Sequence, residues 1–217
     1  MRRLLAFALT ALCGAAADAA SADLPGLLSA EDAAFVAPLL AAPGAQAPAN
    51  RVLTDMRAGL ALFRAGRLAG AEALLADAQS IIDTIYANNP QAQQARSNFI
   101  PEKTKDFKGD PYERAMVGYY LGVIDLIHGA YDNARASFRY ALLQDGMSAS
   151  ETYQSDMPLM QYLVGWTYWC EGSGSSAAEE FKLAEQMSPG LTAPRPGQTQ
   201  ITLIETGRAP RKVASGE

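Results

Sequence analysis

LGVIDLIHGAYDNARASFRYAL, residues 121–142, holds Gly122, Gly129, Ala134, Phe138 and Ala141, spaced by seven, five, four and three positions. The same offsets occur upstream in AGLALFRAGRLAGAEALLADA (58–78), at Gly59, Gly66, Ala71, Leu75 and Ala78. They occur again downstream in VGWTYWCEGSGSSAAEEFKLAEQMSP (164–189), at Gly165, Gly172, Ala177, Phe181 and Ala184. One match in an alanine-rich chain is chance; three with one set of offsets are a repeat. Each copy reads as a helix hairpin. Gly59, Gly122 and Gly165 lack the Cβ that would hold two helices apart, and Ala71, Ala134 and Ala177 are their small counterparts on the second helix. Gly66, Gly129 and Gly172 stand where the chain leaves the first helix and needs a left-handed residue. Leu75, Phe138 and Phe181 are expected to fill the space between successive hairpins.

Outward from these copies, apolar residues recur three and four apart from 51 to 188, the period of a helix. The expected fold is all-α: three antiparallel helix pairs over 51–189 stacked as a tetratricopeptide-like helical solenoid. The copies are unevenly spaced, with 63 residues between Gly59 and Gly122 and 43 between Gly122 and Gly165, against about 34 for an uninterrupted repeat. The excess falls in a second helix running to Tyr86, in the loop NNPQAQQARSNFIPEKTKDFKG (88–109), and in MSASETYQS (147–155). Beyond Pro189 lies a tail (190–217), in which TAPRPGQ is a linker and TQITLIE (199–205) reads as a single β-strand. A lone strand in a helical chain lacks a partner, so it pairs with another molecule or belongs to a sheet beyond Glu217.

Residues 1–22 read as an export signal. Arg2-Arg3 precedes the apolar LLAFALTALCGAAA, and small-x-small sites follow at Ala17-Asp18-Ala19 and Ala20-Ser21-Ala22. The apolar run falls short of the roughly 20 residues of a membrane span, so a periplasmic or exported protein without a transmembrane span is expected. Cys13 raises lipid attachment as an alternative, although Leu12 stands where a lipoprotein signal wants a small residue. With the leader counted out, Cys170 is the only cysteine, no intramolecular disulfide is possible, and packing alone must hold the fold. Residues 23–50 read as a short N-terminal helix, capped by Ser29 with Asp32 and interrupted at Pro38, then an Ala/Pro linker ending at Asn50, an N-cap.

DFKGDPYERAMVGYYLG (106–122) has the look of a phosphate loop around Lys108-Gly109. No glycine-rich cradle surrounds the lysine. Asp110 with Pro111 and Glu113 spells a helix start closed by a capping box. Formal net charge is −5 and no basic run exceeds two residues, which argues against a nucleic-acid partner. His128 is the only histidine, and it falls at a helix C-terminus, where an imidazolium suits the local dipole. One histidine and one mature cysteine build no usual zinc site, no serine or cysteine lies in a nucleophile elbow, and Glu179-Glu180 reads as surface charge. No catalytic, metal-binding or cofactor-binding residue and no cofactor are expected.

The remaining candidate site is the inner wall formed by the first helix of each pair. Its inward positions are Met56, Leu60 and Phe63, then Tyr119, Val123 and Leu126, then Tyr162, Trp166 and Trp169. This wall is apolar and aromatic and fits a groove for an apolar or amphipathic peptide of a protein partner. It equally fits a groove filled by the chain's own long loop or N-terminal helix, the reading slightly favoured because bare aromatic surface is rarely left exposed.

The repeat pattern over 51–189 resembles the tetratricopeptide family. DFKGDPYERAMVGYYLGVIDLIHGAYDNARASFRYALLQD with ETYQSDMPLMQYLVGW resembles, more narrowly, a poorly characterised group of exported bacterial repeat proteins, often lipoproteins. ITLIETGRAPRK extends that resemblance, and in the group it leads into a further β-containing region. The resemblance implies fold and export and carries over no activity. The expectation is an exported protein–protein interaction scaffold of the bacterial envelope, not an enzyme. The alternative is an accessory repeat domain of a longer envelope enzyme or lipoprotein truncated after residue 217.

Overall fold

The computed structural model describes residues 7–12, 27–42, 50–87, 109–147 and 157–206. These are mostly helical: β1 (Phe7–Leu12), α1 (Ala30–Leu40), α2 (Arg51–Arg64), α3 (Leu68–Ala87), α4 (Pro111–Ile127), α5 (Tyr131–Asp145), α6 (Pro158–Cys170), α7 (Gly174–Met187) and β2 (Gln200–Glu205). Most of the loop 88–109, most of the segment 147–155, Cys13 and Lys108 lie outside the described residues.

The three hairpins α2–α3, α4–α5 and α6–α7 turn in one way. Gly66, Gly129 and Gly172 have φ of 74°, 73° and 78°, a region that costs a side chain about 1–2 kcal/mol. In each turn the residue after the glycine donates its N–H to the carbonyl five positions earlier. These bonds are Arg67 to Leu62, Ala130 to Asp125 and Ser173 to Tyr168, all at 2.9 Å. The glycine N–H reaches the carbonyl of Phe63, Leu126 or Trp169. Three Schellman ends of one geometry follow from three glycines at one offset.

The other glycines set the helix–helix distance. A Cβ at Gly59 would lie 2.9 Å from Leu75 Cγ, one at Gly122 2.6 Å from Phe138 Cε1, and one at Gly165 2.8 Å from Phe181 Cδ1. Leu75, Phe138 and Phe181 therefore lie over the glycine of their own hairpin, where the sequence reading put them between hairpins. The antiparallel register brings residues 16 apart face to face across the turn, and the missing Cβ leaves the space that the larger side chain fills. Ala71, Ala134 and Ala177 are buried beside them. Neighbouring hairpins meet through α3 on α4 and α5 on α6, and α1 packs on α2.

Charged staples fix these contacts. Arg135 on α5 donates to Glu171 (2.8 Å) and Thr167 Oγ1 (3.2 Å) at the end of α6, pairs with Asp132, and lies 4.1 Å over the Tyr168 ring. Glu180, read from sequence as solvent-facing, is half-buried and bound by Arg139 and Gln161. Neither partner is near it in sequence. Arg114 is buried, donating to Gln144 Oε1 (2.6 Å) and to the Gly109 carbonyl (2.7 Å), so it ties the start of α4 to the end of α5.

Ser29 caps α1 by accepting from the Asp32 N–H at 3.1 Å. Pro38 does not interrupt that helix, which continues to Leu40. The proline forgoes the one bond that its own nitrogen would donate back to Ala34, and the helix runs only two residues further. Asn50 stands at the N-cap of α2. At α4 the Asp110 N–H donates to Glu113 Oε2 at 2.7 Å, the returning arm of a capping box, with Pro111 in the first turn. Asp110→Ala should lower unfolding free energy by about 0.5–2 kcal/mol. Urea titration checks this, and an unchanged midpoint would mean the cap adds nothing.

Two expectations about the chain ends are corrected. The tail strand is β2, and it is not alone: β1 pairs with it antiparallel, from Phe7 opposite Glu205 to Leu12 opposite Gln200. Cys170 is disulfide-bonded, where no disulfide was expected. Counting residues 1–22 out of the fold had removed the strand's partner from consideration. Among the described residues no helix is long and apolar enough to cross a membrane.

Candidate functional site

The first helices α2, α4 and α6 carry the nine wall positions. Phe63, Tyr119, Val123, Leu126 and Trp166 are buried, whereas Met56, Leu60, Tyr162 and Trp169 are half-buried. Part of the cover comes from the C-terminal tail. Trp169 donates its indole N–H to the Gln198 carbonyl at 2.8 Å. Ile201 and Leu203 of β2 pack against the core. Glu205 reaches Arg64 at 3.7 Å and lies beside Tyr119 and Tyr120. From Gln198 to Glu205 the tail thus touches α6, α4 and α2 in turn. The sequence reading named the long loop or the N-terminal helix as the filler. The loop lies outside the described residues, and α1 is instead tied to the first hairpin's turn, where Arg67 binds Asp32 at 2.8 Å.

The aromatic members of the wall have different neighbours. Phe63 meets Tyr120 with ring centroids 5.0 Å apart, and Tyr120 meets Tyr119 edge-on at 5.0 Å, an aromatic cluster spanning α2 and α4. Tyr162 leans on Phe181 of its own hairpin at 4.8 Å. Trp169 is engaged by the tail. Tyr120, Arg64 and Glu205 were absent from the sequence-derived set. Tyr120 had a signal in its neighbour Tyr119, but nothing in the spacing links Glu205 to Arg64.

Burial, with the Glu205 carboxylate adding to it, pushes the Tyr119 hydroxyl up to about 12 and raises Tyr120 as well, where Glu205 is also a hydrogen-bond partner. Both phenols are neutral donors at ordinary pH. Two carboxylates also titrate high, in different hairpins. Burial first, then Glu72, pushes Asp125 up to about 6 against the opposing Ser137 hydrogen bond and the His128 charge. Burial likewise pushes Asp55 up to about 6, against its hydrogen bond to Arg51 and with Asp77 adding to the rise. His128 is the exposed C-cap of α4. Among the described residues no group of three or more His, Cys, Asp or Glu is placed to hold a metal ion.

A carboxyl group that binds its proton more tightly when folded adds stability as pH falls below about 6, and that stability is lost as pH rises through the folded value. Asp125→Asn keeps an acceptor for Ser137 and removes this component. The variant should gain on wild type between about pH 5 and about pH 7. Urea unfolding at both values checks it, and an equal difference at the two would show that Asp125 is ionised throughout.

No family model, curated protein or solved structure matches the chain.

Proposed function

We propose that the three hairpins are tetratricopeptide-type repeats stacked as a solenoid, and that the protein is an exported, non-catalytic interaction scaffold of the bacterial envelope. The observation that carries this reading is one hairpin design used three times. Gly59–Leu75, Gly122–Phe138 and Gly165–Phe181 make the same close contact, and each hairpin closes on the same left-handed glycine turn. An array built this way holds its first helices side by side and offers a surface suited to protein segments rather than to a reacting small molecule. The aromatic cluster Phe63, Tyr119 and Tyr120, with a short tail strand lying on it, suits such a role. The leader-like residues 1–22 support export.

The test is fractionation of a bacterial host expressing the full reading frame, followed by affinity capture from the periplasmic fraction. Expected are loss of residues 1–22 by intact mass and a defined co-purifying protein whose recovery falls when Tyr120 is replaced by Ala. A chain that stays in the cytoplasm with Met1 intact overturns export. A periplasmic chain that recovers no partner overturns the scaffold.

A further inference from the structure

We propose that the β2 edge now covered by β1 is a strand-docking site, filled in the mature protein by an extended apolar segment of a partner protein laid antiparallel along Gln200–Glu205. The inference rests on the export reading above, because the present occupant, Phe7–Leu12, belongs to the leader. Its pairing shows what the edge accepts: six consecutive uncharged residues, FALTAL, in one antiparallel register.

β2 does not need β1 to stay in place. Its start is held by Trp169 on Gln198, its end by Arg64 on Glu205, and Ile201 and Leu203 seat it on the core. Among the described residues β2 pairs with β1 alone. When the leader leaves, the strand remains with a row of backbone N–H and C=O groups lacking partners, which other strands seek out. The opening is a slot, since β1 also contacts α4, the helix of Tyr119 and Tyr120. Along β2 the half-buried Ile201, Leu203 and Glu205 alternate with the exposed Gln200, Thr202 and Ile204. An incoming strand in the same register sets alternate residues opposite Ile201 and Leu203, positions where the leader carries Ala11 and Leu9. Glu205 is already engaged by Arg64 and Tyr120. The fitting partner is therefore an uncharged strand, apolar at alternate positions.

The full reading frame is expressed in an exporting host and the protein purified from the periplasm without reductant. Intact mass before and after reduction shows whether residues 1–22 are gone, including any leader peptide held through Cys170. A labelled peptide of sequence LLAFALTAL, with lysines appended for solubility, is then titrated. Two versions are compared with it, N-methylated on one or the other alternating set of amides. Saturable binding is expected, weakened roughly tenfold or more when the amides facing β2 are methylated and little changed in the other version. No binding, or equal binding by both versions, overturns the proposal. A mature chain that dimerises and excludes the peptide overturns it in favour of a second copy. A mass showing residues 1–22 still attached also overturns it, because the slot is then filled in cis. A periplasmic chain that has lost residues 1–22 but fails the titration overturns the slot while export stands, and a chain left in the cytoplasm overturns the export reading first.

Discussion

Gly122→Leu should lower unfolding free energy by about 1–3 kcal/mol or more. A Cβ at this position would lie 2.6, 2.7 and 2.9 Å from Cε1, Cδ1 and Cζ of Phe138, well inside van der Waals contact before the rest of the leucine is added. The ring cannot swing clear, because Phe138 is fully buried between the two helices. The hairpin must open or Phe138 must leave its site. Gly146→Ala is the control, since a Cβ there meets its nearest neighbour, the Leu142 carbonyl, at an ordinary 3.5 Å. Adding Phe138→Ala to Gly122→Leu should recover part of the loss, because the two side chains compete for one volume. A Gly122→Leu protein that melts at the wild-type temperature would refute the repeat alignment as a description of contact.

Why the hairpins could be read from sequence follows from that contact. A glycine and a large residue 16 positions later meet because an antiparallel turn lies midway, so spacing encodes distance directly. The left-handed glycines were equally legible, since few other residues hold such a turn cheaply. Periodicity places a residue on a helix face but not against a particular neighbour. Phe138 was therefore known to be buried, yet was assigned to the wrong gap. Pro38 shows the same limit at a boundary, where its effect depends on how much helix remains after it. The candidate wall was legible as a set of apolar positions, but its cover was not. Pairing between Phe7–Leu12 and Gln200–Glu205 joins opposite ends of the chain, and no local pattern announces it. Reading residues 1–22 as a separate segment also hid the strand's partner.

Trp166→Ala should cost about 3–5 kcal/mol of stability. Trp166 is 2% exposed and is among the largest fully buried side chains, so truncation leaves a cavity that rigid helices on either side cannot close. The two tryptophans of α6 differ here. Trp169 is half-buried, and its indole is tied to the Gln198 carbonyl. The Trp166 indole nitrogen is buried with no hydrogen-bond partner among the described residues. Its contribution is then packing alone, and Trp166→Phe should be far milder, because it keeps most of the ring and removes a buried donor that gains nothing. A wall held open for a partner predicts the reverse order of effects, with Trp166→Ala nearly neutral in stability and damaging only to binding. Thermal melting of the two variants decides between them. A Trp166→Ala protein as stable as wild type would place Trp166 on an open surface and return the groove to the partner.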